Sequence, residues 1–252
     1  MGDSPRRGWR ALSSRAFAVM RTRVVRPLIY QWRRRALLRG MDHASEVQLL
    51  GSRLRTDPGV FHPLYFSSSR ILAEHLLAQP LRGRRILDMG TGAGPIAICA
   101  AAAGARVTAC DINPRAVVLA TENAALNGLE VEALESDLFT ALAGRRFDLI
   151  SFNIPFFARD PASHIDAAFN AGRNFETLRR FAQGCIRHLE HDGRAVIILS
   201  EDGDRGEVFR AFTESGLALE RTILSSSLFE HFCVAWFRVS SPVSLASSAP
   251  RA

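Results

Sequence analysis

The run FNIPFF, residues 152–157, sets an asparagine and a proline inside an otherwise apolar segment. A buried amide without partners costs about 1–3 kcal/mol, so Asn153 either closes a strand or turns its amide toward a ligand. Upstream, LDMGTGAGPIAI spaces Gly90, Gly92 and Gly94 as GxGxG. Three acids, Asp88, Asp111 and Asp137, follow successive short apolar runs. Together these are the parts of a site that lets a ligand lie on bare backbone, meets it with carboxylates, and holds an amide nearby.

Glycines at 90, 92 and 94 allow a tight turn and close approach of a ligand to the main chain. A dinucleotide fingerprint would be GxGxxG, with a pyrophosphate on the helix N-terminus. Here Pro95 occupies the first helical turn, where its missing N–H is harmless. Asp88, two residues before the first glycine, repels a diphosphate and attracts a cation such as an amino-acid ammonium, which speaks against NAD and for S-adenosylmethionine. Asp111 lies at the end of the next apolar run, where a carboxylate accepts both ribose hydroxyls. Asp137, in ESDLF, is placed to accept an adenine amino group. Each has a simpler reading: Asp111 and Asp137 as helix caps, Asn153 with Pro155 as a broken strand end.

The elements that position these residues alternate. RILDM, RVTAC, VEALES and FDLISF read as strands, and RAVIILS as another. Helices are expected over 94–103, 114–126, 174–189 and 206–215, with a helical turn at 138–142. Strand, helix, strand with short links predicts an α/β fold whose mostly parallel sheet carries helices on both faces. LALERTILSS and HFCVAWFRV, joined by a short link, predict a C-terminal antiparallel pair. Before the sheet, SEVQLLGSRL and SSSRILAEHLLAQ read as two helices, with Ser67–Ser69 offering N-cap oxygens to the second. The stretch GVFHPLYFSSSR between them is expected to wall the ligand site. The domains expected are an Arg-rich arm over 1–40, a helical segment over 41–80, the sheet domain over 81–240 and a Ser/Ala/Pro-rich tail over 241–252, read as disordered.

The net charge of +7 is unevenly spread. The first forty residues hold eleven arginines and one acid, Asp3, whereas the rest holds 21 arginines against 24 acids. The arm suits contact with nucleic acid or another anionic surface, an organelle-targeting presequence, or a solvated helical extension. Cys99, Cys110, Cys185 and Cys233 are scattered without a CxxC pair, which reads as reduced core residues in a cytoplasmic protein. His62, His188 and His191 show no metal-ligand spacing, so no metal is expected. No apolar run approaches the roughly 18 residues needed to span a bilayer.

ILDMGTGAGPIAICAA, VTACDINPRAVVLATENAALNG, ESDLF and FDLISFNIPFF together resemble the class I S-adenosylmethionine-dependent methyltransferases. Within them, the likeness is to the HemK-like protein-glutamine methyltransferases and the related small-domain group, over residues 60–200. The resemblance implies a Rossmann-like sheet and a site holding S-adenosylmethionine on Asp88, Gly90, Thr91, Gly92, Gly94, Asp111, Ile112, Asp137, Leu138 and Asn153. In those families the fourth strand ends in Asn-Pro-Pro-Tyr. The resemblance implies that Asn153 and the Ile154 carbonyl accept the two N–H groups of a planar amine, with Pro155 stiffening the turn and Phe156 facing the substrate. Ile154 and Phe156 depart from that pattern, and Asn-Ile-Pro resembles the ribosomal-RNA adenine dimethyltransferases. The acceptor implied is therefore a protein glutamine amide, with an RNA or DNA adenine reached through the arginine arm, a small molecule, or cofactor binding without catalysis as alternatives. Nothing in the sequence speaks to oligomeric state.

Overall fold

Strands with apolar residues at every position belong in a sheet covered on both faces, and the computed structural model, which describes residues 44–63, 67–227 and 230–240, shows such a sheet. The arm over 1–40 and the tail over 241–252 lie outside the described residues. Strands β1 (Glu46–Leu49) and β2 (Ser52–Arg55) form a hairpin, and helix α1 (Ser67–Leu77) follows. Then come β3 (Arg85–Met89), α2 (Pro95–Ala102), β4 (Arg106–Asp111), α3 (Pro114–Leu126), β5 (Glu132–Glu135) and β6 (Phe147–Asn153). The short α4 (His164–Ala167) precedes α5 (Glu176–His188), β7 (Leu189–Ser200), α6 (Arg205–Glu214), β8 (Leu217–Ser227) and β9 (Glu230–Val239).

The large sheet has seven strands in the order β5-β4-β3-β6-β7-β9-β8. Strands β3 to β7 pair in parallel, and β9 runs antiparallel to both β7 and β8. The chain builds outward from β3 to β5, then returns to lay β6 on the other side of β3. That reversal opens a crevice beyond the carboxyl ends of β3 and β6, the usual ligand position in an open α/β sheet.

The two-residue period of the strands divides the core. Ile86, Leu149, Val196, Val234 and Trp236 face α1, α2 and the hairpin. Their neighbours Leu87, Ile150, Ile197, Ala235 and Phe237 face α5 and α6. On α5 the buried residues Leu178, Phe181, Ala182, Cys185 and His188 recur at helical spacing, the stripe of an amphipathic helix laid on a sheet.

Residues 45–54, expected as a helix, form the β1–β2 hairpin instead. Leu49 pairs with Ser52, so the turn consists of Leu50 and Gly51, both at positive φ (48° and 86°). Two such residues make the turn whose twist suits antiparallel strands. Alternation buries Ser52 and Leu54 while Arg53 and Arg55 stay outside. The turn expected over 138–142 contains no helix, and β7 starts at Leu189, five residues before the predicted RAVIILS. The Ser67–Ser69 stretch is the first turn of α1 rather than its cap.

Candidate active site

The glycine turn leaves the carboxyl end of β3. Gly90, Gly92 and Gly94 all adopt positive φ, between 56° and 82°. Two of them also have no room for a side chain. A Cβ on Gly90 would stand 2.8 Å from the Phe152 ring, and one on Gly94 3.3 Å from the Ala120 backbone, where α2 and α3 touch. Above Gly92 the nearest atoms are the Phe61 carbonyl and Val60, at 3.8 Å and beyond. The loop carrying Val60 and Phe61 is tied down by Asn113, whose Nδ2 donates to the Gly59 carbonyl at 2.8 Å, and by an Arg115–Asp57 ion pair. Phe61 lies against Phe169, ring centres 5.5 Å apart. Val60 and Phe61 thus lie over Gly92; residues 64–66 of the predicted wall lie outside the described residues.

Asp88, expected to attract the cofactor's ammonium group, lies on β3 beneath the turn, 0 % exposed. Its Oδ2 accepts the Thr91 hydroxyl at 2.8 Å and its Oδ1 the Ser151 hydroxyl at 3.0 Å, with the Ala97 N–H as a third donor. Burial pushes its carboxyl up to about 7 against the pull of these donors. Asp111 ends β4 with Oδ2 accepting from Gly92 N–H at 2.8 Å and Oδ1 from Asn113 N–H at 2.9 Å. Burial raises its pKa too, with these N–H groups and His164 pulling the other way. Asp111 does not cap α3; Asn113 does, accepting from Arg115 N–H. The Gly92 N–H that would grip a phosphate is thereby already committed to a carboxylate. Ile112 beside it is 44 % exposed, a bare apolar surface at the crevice.

Asp137 and Leu138 follow β5. Asp137 accepts from Arg180 of α5 at 2.8 Å. Leu138 is buried at φ 52°, its carbonyl held by the Ser136 hydroxyl at 2.7 Å.

Asn153 ends β6 opposite Ile198, one residue beyond the Met89–Phe152 pairing that aligns the two strand ends. Its Nδ2 donates to the hydroxyls of Ser68 at 3.0 Å and Ser69 at 3.4 Å, and among the described residues no donor meets its Oδ1. Ile154 is 1 % exposed, its N–H directed at the Ile198 carbonyl, and Pro155 is buried. Phe156 is partly exposed, its ring 4.6 Å from that of Phe157.

Ser68, Ser69, Ser151 and Asn123 were not foreseen as parts of this site. Asn123 is fully buried in α3, accepts from Arg55 N–H, and donates to the Arg55 and Ala93 carbonyls. The available signal was three consecutive serines where a helix needs one cap. His188 is structural: buried, its Nδ1 3.0 Å from the Gly184 carbonyl and its ring stacked on Phe139. Among the described residues no group of His, Cys, Asp or Glu is placed to hold a metal ion, and no helix is long and apolar enough to cross a membrane.

The family model for the methyltransferase small domain matches residues 51–215. The chain belongs to this family. It is an S-adenosylmethionine-dependent methyltransferase with the Rossmann-like sheet of that group, as the resemblance implied. A Methanocaldococcus jannaschii protein named as a candidate protein N5-glutamine methyltransferase is 32% identical over 198 residues, covering 75% of this chain and 98% of that one. The release factor glutamine methyltransferase of Deinococcus radiodurans is 40% identical over 129 residues, 49% of this chain and 45% of its own length. Among solved structures, the Thermus thermophilus 16S rRNA N2 G1207 methyltransferase, in complex with AdoMet and guanosine, superposes with a TM-score of 0.60. It shares 22% identity over 79% of this chain and 50% of its own, a likeness of fold. This small-domain methyltransferase thus spans nearly all of the archaeal relative but under half of the Deinococcus enzyme.

Proposed function

We propose that this methyltransferase transfers its methyl group to the side-chain amide nitrogen of a glutamine in a protein substrate. The observation that carries the reading is Asn153. It stands at the sheet's reversal point beside the glycine turn, its donor end occupied by serines and its Oδ1 met by no donor among the described residues.

The residues fit S-adenosylmethionine. A turn of three positive-φ glycines gives backbone contact, and Gly92 has space above it. In this reading Asp111, which keeps lone-pair capacity beyond the Gly92, Asn113 and Ile112 N–H groups directed at it, takes the ribose hydroxyls. Ile112 packs on the adenine, beside Leu138 and with Asp137 toward its amino group. Thr91 and Asp88 act from below, Asp88 placing negative charge under the cofactor's ammonium. The cofactor supplies a methyl group on a sulfonium, open to in-line attack.

An amide nitrogen is a poor nucleophile because its lone pair is delocalised into the carbonyl. Asn153 Oδ1 and the Ile154 carbonyl, accepting both N–H hydrogens, hold the nitrogen so that its lone pair points at the methyl and favour the positive charge that develops there. The N–CH3 bond forms as the S–CH3 bond breaks, S-adenosylhomocysteine leaves, and the nitrogen loses a proton to solvent. Pro155 stiffens the carbonyl-bearing turn, and Phe156 offers a face for a flat group. The whole-length likeness to the archaeal protein favours glutamine over a nucleobase amine, which the same two acceptors would also hold.

The test is transfer of labelled methyl groups from the cofactor into fractionated extract, comparing the wild-type enzyme with Asn153→Ala. Label that survives nuclease, is released by protease and appears as N5-methylglutamine on hydrolysis supports the reading. Label lost to nuclease overturns it, as does full activity in the Asn153→Ala enzyme.

A further inference from the structure

An asparagine side chain at a strand end has two ends of equal size, and only one accepts hydrogen bonds. An amide rotated by half a turn about its last bond would present N–H groups to an incoming amine and repel it. Something in the fold must therefore choose the outward end. The first turn of α1 is the element in reach. Ser68 and Ser69 are 6 % and 3 % exposed, far below what serines on a helix surface show, and both hydroxyls face the same atom, Asn153 Nδ2. An amide nitrogen has two hydrogens, and two acceptors meet them. Ser67 anchors the start of the same turn, its hydroxyl donating to that of Ser227 at the end of β8, 2.8 Å away.

We infer that Ser68 and Ser69 are positioning residues for methyl transfer: they lock the Asn153 amide with its oxygen toward the acceptor nitrogen. The inference rests on the proposed role of Asn153 and adds a device outside the strand that bears it, 85 and 84 residues away in sequence. Ser68, at the shorter distance, is the stronger of the two. Neither serine contacts the cofactor in this reading, so the loss should fall on turnover rather than on cofactor affinity.

The experiment uses the full chain as wild type, Ser68→Ala, Ser69→Ala, the double variant and Asn153→Ala. Three quantities are measured: calorimetric affinity for S-adenosylhomocysteine, methyl transfer to the protein fraction that the wild type labels, and proton exchange of the Asn153 side-chain amide in asparagine-15N-labelled protein. Asn153→Ala assigns the amide signal. Cofactor-product affinity should stay within about twofold in all variants, while kcat falls about 3- to 10-fold in each single variant and about 30-fold or more in the double one, with KM for the acceptor little changed. Exchange of the Asn153 amide should quicken at least about tenfold in the double variant, a readout that needs no substrate.

A double variant with wild-type kcat and unchanged amide exchange overturns the inference, while Asn153→Ala separately decides the reading beneath it. Asn153→Ala with full activity removes both. If the double variant does not fold, the single variants decide: Ser68→Ala slower than Ser69→Ala upholds the inference, and both at the wild-type rate sink it.

Discussion

The carboxylate of Asp88 and the hydroxyl of Ser151 meet at 3.0 Å across β3 and β6, under the glycine turn. The pair joins the strand that carries the turn to the strand that carries Asn153. It also leaves a carboxylate in a place where burial raises its pKa from 3.8 to about 7. A raised acid binds its proton more tightly folded than unfolded. Stability from this group is therefore fully present below about pH 4 and is lost as pH rises through about 7. Buried His62 and partly buried His75, whose pKa values are lowered, act with the opposite sign in part of this range. The difference between wild type and Asp88→Asn isolates the carboxylate. We expect Asp88→Asn to gain stability relative to wild type as pH rises from 5 to 8, read from urea midpoints of the cofactor-free protein. A constant offset between the two curves would show that Asp88 does not titrate there.

Cofactor affinity should depend on pH in the reverse sense. If the ionised Asp88 carboxylate is what attracts the ammonium of S-adenosylmethionine, binding strengthens as the group loses its proton. Affinity should rise by up to about tenfold between about pH 6 and 7.5 in the wild type and by clearly less in Asp88→Asn. Calorimetry at constant ionic strength measures both. Parallel curves for the two proteins would remove Asp88 from ammonium recognition while leaving its place beneath the turn intact.

Gly90 is constrained twice, by a φ of 63° and by the Phe152 ring 2.8 Å from any added Cβ. Phe152 cannot retreat freely, because its ring packs 4.8 Å from that of Phe181 in the core. Gly90→Ala should cost about 2–4 kcal/mol, the positive-φ penalty plus overpacking, and should weaken cofactor binding by shifting the turn. Gly83→Ala is the control: its φ is 75° but a Cβ there meets nothing within 4 Å. It should cost about 1 kcal/mol with no change in cofactor affinity. Equal losses in the two variants would mean that the Phe152 contact carries no weight.

The sheet and the crevice were legible because their signals are local. RILDM and FDLISF are short apolar runs that end at a glycine turn and at Asn153, and the structure gives them adjacent positions in one parallel sheet. The β1–β2 hairpin was not legible. Val47, Leu50 and Leu54 fall at helical spacing, and the turn uses Leu50 where asparagine or aspartate would have marked it. What holds the hairpin is remote: side chains of Asn123 on α3 and of Asn127 at its C-cap bond the backbone of Arg55 and Arg53, 68 and 74 residues away. The burial of Asp88 escaped for a related reason, since its partner Ser151 lies 63 residues further on. Periodicity reports which face of an element is covered; it carries no information about which distant polar groups meet.

Asn123 gives that point a measurable form. It is 0 % exposed and joins three elements: it accepts from Arg55 N–H at 2.7 Å, donates to the Arg55 carbonyl at 3.0 Å and to the Ala93 carbonyl at 2.9 Å. Removing its side chain leaves the part-buried Arg55 backbone of β2 and the buried Ala93 carbonyl of the glycine turn without these partners. Asn123→Ala should cost about 2–4 kcal/mol, because orphaned buried groups lose their full desolvation compensation. Asn127 makes the equivalent pair of bonds to Arg53 nearer to solvent, where water replaces a lost partner, and Asn127→Ala should cost under about 1 kcal/mol. Urea unfolding followed by circular dichroism compares them. Since Ala93 sits between Gly92 and Gly94, Asn123→Ala should also loosen the turn and weaken S-adenosylhomocysteine binding, whereas Asn127→Ala should not. Equal stability losses, or unchanged binding in Asn123→Ala, would mean that the hairpin and the glycine turn are held independently of α3.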